Sequence, residues 1–220
     1  MESKEQVDYI LLIMNCAKYS WKAEIQKQTW LPQIPRGLKY YHVLGDDSLS
    51  TDFKFDNNLH ILWVNTKDDY NSLPHKVISA YKAVSKTYQF KYLFKTDDDQ
   101  RMIKNPTLFF NTITQLVEKN KSHYGGFVVD VQNPYLSSYH KVHKELPSNI
   151  VVQSTRYCSG RFYFLSVSAV KDVILKREDI SKEYFEDYAI GYFLSENFKQ
   201  NIFHFETHKI FQDIENNVIT

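Results

Sequence analysis

Asp97, Asp98 and Asp99 stand side by side at the end of the segment Phe-Lys-Tyr-Leu-Phe-Lys-Thr-Asp-Asp-Asp-Gln that starts at Phe90. Phe90, Tyr92, Leu93 and Phe94 in front of them predict a buried strand. Adjacent carboxylates repel one another and weaken a strand, so a structural use for the triplet is hard to find. At the carboxyl end of a strand they can hold a hard divalent cation through oxygen ligands. Such a cation can grip a diphosphate. The plain alternative is a solvated acidic turn; the apolar strand in front of the triplet and the motifs elsewhere favour the cation.

Glu186 and Asp187 form a second acidic motif, Phe-Glu-Asp-Tyr-Ala-Ile-Gly, which opens an apolar helix. Acids suit a first helical turn because of the helix dipole. One of them can also serve as a general base, taking the proton of an attacking hydroxyl. The third motif is Tyr157-Cys158-Ser159-Gly160-Arg161-Phe162-Tyr163-Phe164-Leu165-Ser166. It reads as a turn at Gly160 feeding a strand, with the missing side chain leaving room for a ligand. Lys27-Gln28-Thr29-Trp30, with Lys22 upstream, reads either as a solvated helix face or as a source of positive charge. Asp68, Tyr70, Leu73 and Lys76 lie in a turn into a helix, where Pro74 suits a first helical position.

The elements that must position these groups follow from periodicity. The apolar run Val7–Cys16 predicts a strand covered on both faces. A helix over Tyr19–Trp30 stops at Pro32 and Pro35. Strands are expected at 38–44 and 59–64, and a helix at 73–88 with Leu73, Val77, Ile78, Tyr81 and Val84 at helical spacing. Beyond the triplet come a helix at 106–119, a strand at 125–131, a polar loop at 132–154 able to cover a site, a strand at 161–166, helices at 167–176 and 182–198, and a short strand at 201–205. Alternation of strands and helices indicates an α/β fold with a mostly parallel central sheet flanked by helices. In open α/β sheets ligands bind beyond the carboxyl ends of the strands. The triplet lies there, as do Asn15, Cys16 and Asn65.

Composition limits the function classes. At 220 residues the chain makes one domain, expected over 1–220, with a longer parent protein left open. Net charge is +1 with no basic stripe, so no nucleic-acid partner is expected. Cys16 and Cys158 lack the spacing of a zinc site or a disulfide framework. The apolar run from Tyr9 to Met14 is too short to span a membrane and is not followed by a cleavage pattern. The expectation is a soluble, cytoplasmic protein of microbial or viral origin with no membrane segment.

Taken in order, the motifs resemble the β-1,3-galactosyltransferase family, which includes β-1,3-N-acetylglucosaminyl and Fringe-like transferases. The matching residues are Lys22 to Trp30; Asp68, Tyr70, Leu73 and Lys76; Lys95 to Asp99; Tyr157 to Gly160 with Tyr163, Leu165 and Ser166; and Glu186, Asp187 and Gly191. The departures are Arg161 and Phe162 in place of glycines, lysines in place of arginines at 22 and 27, Ser72 and Pro74, and Tyr188. A lysine keeps the charge of an arginine but loses its bidentate grip on phosphate.

The resemblance implies a GT-A type, Rossmann-like α/β domain. It implies inverting, metal-dependent transfer of a hexose from a UDP-sugar to a hydroxyl of a glycan or glycoprotein acceptor. Galactose is the first choice and N-acetylglucosamine the alternative. Mn²⁺ or Mg²⁺ would sit on Asp97 and Asp99, with His208 preferred over His204 as a further ligand. Lys27, Lys76, Lys95, Asp97, Asp98, Gly160 and Glu186 would bind the nucleotide-sugar, and Asp187 would be the base. The competing classes are a glycoside hydrolase, which needs two carboxyl groups but no acidic triplet; a prenyl-diphosphate synthase, whose last acid is replaced here by Arg101; phosphorus chemistry on clustered acids; and a binding module without catalysis.

Overall fold

A computed structural model describes residues 4–214. Its centre is an eight-stranded sheet. In chain order the strands are β1 (Tyr9–Met14), β2 (Leu38–Gly45), β3 (Phe53–Asp56), β4 (Ile61–Val64), β5 (Tyr92–Asp97), β6 (Tyr124–Val131), β7 (Thr155–Ser166) and β8 (Phe203–His204). Across the sheet they run β8-β6-β7-β5-β1-β2-β4-β3. The main helices are α1 (Ser20–Thr29), α2 (Leu73–Thr87), α3 (Pro106–Asn120), α4 (Val167–Leu175) and α5 (Glu186–Phe193).

The continuous apolar run of β1 is explained by burial on both sides. Ile10, Leu12 and Met14 face a core shared with Val77, Tyr81 and Val84 of α2 and Val170 of α4. Leu11 and Ile13 face a second core with Trp30, Phe110 of α3, Phe162 and Phe211. β1, with β5 on one side and β2 on the other, is parallel to both.

The α/β class holds, but the sheet is mixed. β7 runs antiparallel to both β5 and β6, and β3 antiparallel to β4. β7 starts at Thr155, six residues before the expected strand, and its pairing with β6 shifts register between Cys158 and Tyr163. A bulge of this kind bends a strand and re-aims its side chains; here it carries Ser159, Gly160 and Arg161 toward the end of β5.

Two other expectations are corrected. The helix foreseen over 182–198 is broken: α5 ends at Phe193, and a short helix follows at Glu196–Lys199. Asp172 accepts the Ser195 backbone N–H at 2.9 Å and its hydroxyl at 2.8 Å, while Lys176 donates to the Phe193 carbonyl at 2.6 Å. These bonds satisfy the freed backbone groups and stop the helix. The polar stretch 132–154 is not structureless. Tyr135 and Leu136 pair antiparallel with Val152 and Val151, and a 3-10 turn covers Tyr139–Lys141.

A strand absent from the sequence reading completes the frame. Phe211–Asp213 pairs antiparallel with Gln100–Met102, directly after the acidic triplet.

Candidate active site

The carboxyl ends of β1 and β5 open into a cleft of about 690 Å³. Asp97, Asp98 and Asp99 line it from the end of β5, and Glu186 and Asp187 from the first turn of α5. Segments far apart in the chain are thus brought to one place. Gly160 is the meeting point. A Cβ at this position would stand 3.1 Å from Asp97 Oδ2, 3.2 Å from Lys95 Nζ and 3.5 Å from Asp187 Oδ2. Two carboxylates therefore converge on space that any other residue would fill.

The backbone of the triplet is held from below by Gln26. Its fully buried amide donates to the Asp98 carbonyl at 2.8 Å and the Gln100 carbonyl at 3.0 Å. From the side, Ile214 N–H donates to the Asp99 carbonyl at 2.5 Å. Asp213 accepts from Gln100 Nε2 and from the Arg161 guanidinium, each at 2.9 Å.

Lys95 is fully buried on β5. Its ammonium donates to Asp97 at 2.5 Å, Glu186 at 2.7 Å and the Gly160 carbonyl at 3.1 Å. Burial alone would lower its pKa, but Asp97 and Glu186 outweigh that and hold it above the ordinary lysine value. All three N–H groups are used, so Lys95 does not face the cleft as a phosphate ligand. It is the buried counter-ion that lets two acids approach each other.

Asp97 is nevertheless pushed up to about 7, chiefly by desolvation, with Glu186 and Asp99 adding to the effect and Lys95 opposing it. Desolvation also raises Asp98, against the pull of Lys22 at 3.1 Å. Glu186 is raised by burial too, with Lys95 and the Tyr163 hydroxyl favouring its ionised form. Asp187 is raised by burial, opposed by Lys95 and by the backbone N–H groups of Gly160 and Tyr188. Carboxylates held above their usual range in a cleft are candidates for a functional site.

The other expected residues divide. Lys76 is buried at the cleft, 2.8 Å from Asp68 and 2.6 Å from the Asn15 carbonyl. Asp68 also accepts from Gly45 N–H at 2.9 Å and Ala17 N–H at 2.7 Å, tying the ends of β1 and β2 together. Lys27 does not reach the cleft; it pairs with Glu24 on the surface at 3.0 Å. Lys22 takes that place, packed over the Tyr19 ring at 4.5 Å. Five helical residues turn roughly 140°, so Lys22 and Lys27 cannot share a face. Helical geometry could have separated them from sequence, since buried Lys22 and Gln26 are four apart.

His208 is not brought to the acids either. Its side chain is 56% exposed, pairs with Glu206 at 3.2 Å and lies edge-on to Phe127. His204 also pairs with Glu206, and neither lines the cleft. The short strand β8 and the turn after it hold both rings beside β6. Tyr139 and His143 do line the cleft, although nothing in the polar stretch around them marked them out.

A family model described as Galactosyltransferase matches residues 22–216, from the lysine beside Asp98 to beyond the strand that pins the triplet. The chain belongs to the galactosyltransferase family. Family membership makes it a glycosyltransferase, with a sugar donor and a glycan acceptor as the partners that membership implies. No curated protein matches it. Among the described residues, no helix is long and apolar enough to cross a membrane.

Proposed function

We propose that the enzyme transfers galactose from UDP-galactose to a hydroxyl of a glycan acceptor, with inversion, to give a β-linkage. The observation that carries this reading is the convergence of Asp97 and Asp187 on the space left by Gly160, inside one cleft. One carboxylate belongs to the acidic turn that would face a diphosphate. The other is the only member of the pair not engaged by Lys95 through a hydrogen bond or ion pair among the described residues.

Asp187 would take the acceptor proton as the oxygen attacks the anomeric carbon. Attack from the face opposite UDP converts an α-linked donor into a β-linked product. Lys22 and Lys76, which line the cleft, supply positive charge near the phosphates. Lys95 would hold Asp97 and Glu186 in place.

The donor set suits Mn²⁺ or Mg²⁺. Asp97 and Asp99 offer hard carboxylate oxygens, and a cation would favour the ionised form of Asp97, which burial first and the neighbouring acids Glu186 and Asp99 second disfavour. Among the described residues, no three His, Cys, Asp or Glu side chains are gathered to hold a metal. Magnesium-type sites use one or two carboxylates and complete their shell with water and substrate phosphate. Bound there, the cation would offset charge on the departing diphosphate.

Calorimetric titration with UDP-galactose, UDP-N-acetylglucosamine and UDP-glucose, each with Mn²⁺ and with EDTA, tests the reading. The expected result is Mn²⁺-dependent binding, tightest for UDP-galactose and lost in Asp99→Ala. Equal affinity in EDTA would remove the metal from the proposal. Tighter binding of UDP-N-acetylglucosamine would change the donor.

A further inference from the structure

Beside its acids, the cleft is lined by a set of aromatic rings. Of eleven large apolar side chains exposed among the described residues, five fall on one short segment: Tyr135, Leu136, Tyr139, Val142 and Val151. Of these, Tyr135 and Tyr139 line the cleft, and apolar groups gathered at a cleft mark a binding surface more often than scattered ones do. The His143 ring stacks with Tyr70 at 4.3 Å and with Tyr139 at 4.9 Å. Tyr139 meets Phe185 edge-on at 5.7 Å, and Tyr157 meets Tyr188 edge-on at 5.9 Å. All six of these rings line the cleft.

Their position relative to Asp187 identifies what they face. Phe185 and Tyr188 flank Asp187 in the chain, and Tyr157 lies just before Gly160, whose N–H holds the Asp187 carboxylate. A molecule that brings a hydroxyl to that carboxylate inside the cleft has these rings among its neighbours. The cations that line the cleft, Lys22, Lys76 and Arg161, are paired with Asp98, Asp68 and Asp213. With each of them already paired, no unpaired lysine or arginine among the described residues lines the cleft to neutralise an acidic acceptor. A neutral pyranose fits. The weakly positive hydrogens of its C–H face match the negative face of an aromatic ring. Its hydroxyl edge can meet the Ser137 and Ser159 side chains that also line the cleft.

We propose that Tyr139 and His143, together with Tyr157, Phe185 and Tyr188, form the acceptor subsite and receive the apolar face of a neutral pyranose. This rests on the transferase reading above. Saturation-transfer NMR titrations with methyl β-galactoside, methyl β-glucoside and methyl N-acetyl-β-glucosaminide, with and without UDP, test it. At least one should bind the wild-type protein, weaken about tenfold in Tyr139→Ala, and recover in Tyr139→Phe, which keeps the ring. Calorimetric affinity for UDP should be equal in all three proteins, which also shows that the variants fold. Absence of binding by any pyranoside, or equal binding by Tyr139→Ala, would overturn the subsite. A loss of UDP affinity in Tyr139→Ala would overturn it too, by giving the wall to the nucleobase. Pyranoside binding without UDP-galactose binding would keep the subsite and remove the donor assignment, so the two readings fail separately.

Discussion

Each oxygen of the Asp187 carboxylate accepts one backbone amide, Gly160 N–H at 2.9 Å and Tyr188 N–H at 2.8 Å. These two bonds fix its orientation and leave lone pairs for an incoming hydroxyl. Burial raises its pKa, and a raised pKa makes a stronger base. The base must be ionised to act, so activity falls as pH drops through that raised value. The acid limb of the pH–rate profile should therefore lie above the value of about 3.9 for an ordinary aspartate. Asp187→Asn should lower turnover by roughly 10²–10⁴-fold while donor affinity stays near wild type. A normal rate in Asp187→Asn would place the base elsewhere. The motif around Asp187 was legible in the sequence because an acidic pair opening an apolar helix is a local pattern. The role of Lys95 was not, since its three acceptors come from three separate segments.

Helix α5 delivers Asp187, and its own position depends on one glycine. A Cβ at Gly191 would lie 2.3 Å from Tyr157 Cβ and 2.7 Å from Tyr157 Cα. No rotamer change relieves a clash with backbone. Gly191→Ala should push α5 off β7, cost about 1–3 kcal/mol in urea denaturation, and reduce turnover by displacing Asp187. Unchanged stability would mean that the helix can shift freely. The acidic turn depends on α1 in a similar way. Gln26→Leu keeps the volume but removes the donor to the buried Gln100 carbonyl and the partly buried Asp98 carbonyl. Loss of such a partner costs about 1–3 kcal/mol, and Mn²⁺-dependent UDP binding should weaken with it. The clearly periodic elements, β1, α2, β5 and α3, matched their sequence signals within one to two residues at most ends. Phe53–Asp56 and Phe211–Asp213 did not, because a short strand takes its identity from its partner rather than from its own pattern.

Across the whole molecule, the sheet joins a parallel half, where α/β logic sets the cleft, to an antiparallel half built on β7 and β6. In the parallel half, His42 on β2 is buried with Nδ1 at 2.7 Å from Asn15 Oδ1. Desolvation, with Lys27 and His60 adding, lowers its pKa to about 3. Its folded value lies below its unfolded value of about 6.5. The stability it supports is therefore present above pH 6.5 and is lost as pH falls toward 3. Linkage gives a loss of about 2 kcal/mol by pH 5. Urea denaturation at pH 7 and pH 5 should show that loss in the wild type and a smaller one in His42→Phe. Equal losses would show that other groups govern the acid limb.

The sequence by itself determined the α/β class, the acids at a strand end and the acidic pair on a helix. Each is a local pattern whose physical reading depends only on neighbouring residues. The turn expected at Gly160 is instead a bulge inside the continuous strand β7. Tertiary structure decided that Lys22 rather than Lys27 faces the cleft, that Lys95 is a buried counter-ion, and that His208 stays away from the acids. It also decided that the segment 132–154 turns its aromatic rings toward Asp187. Those outcomes follow from the packing of distant segments against one another, where burial and charge pairing are set by partners that no local periodicity records.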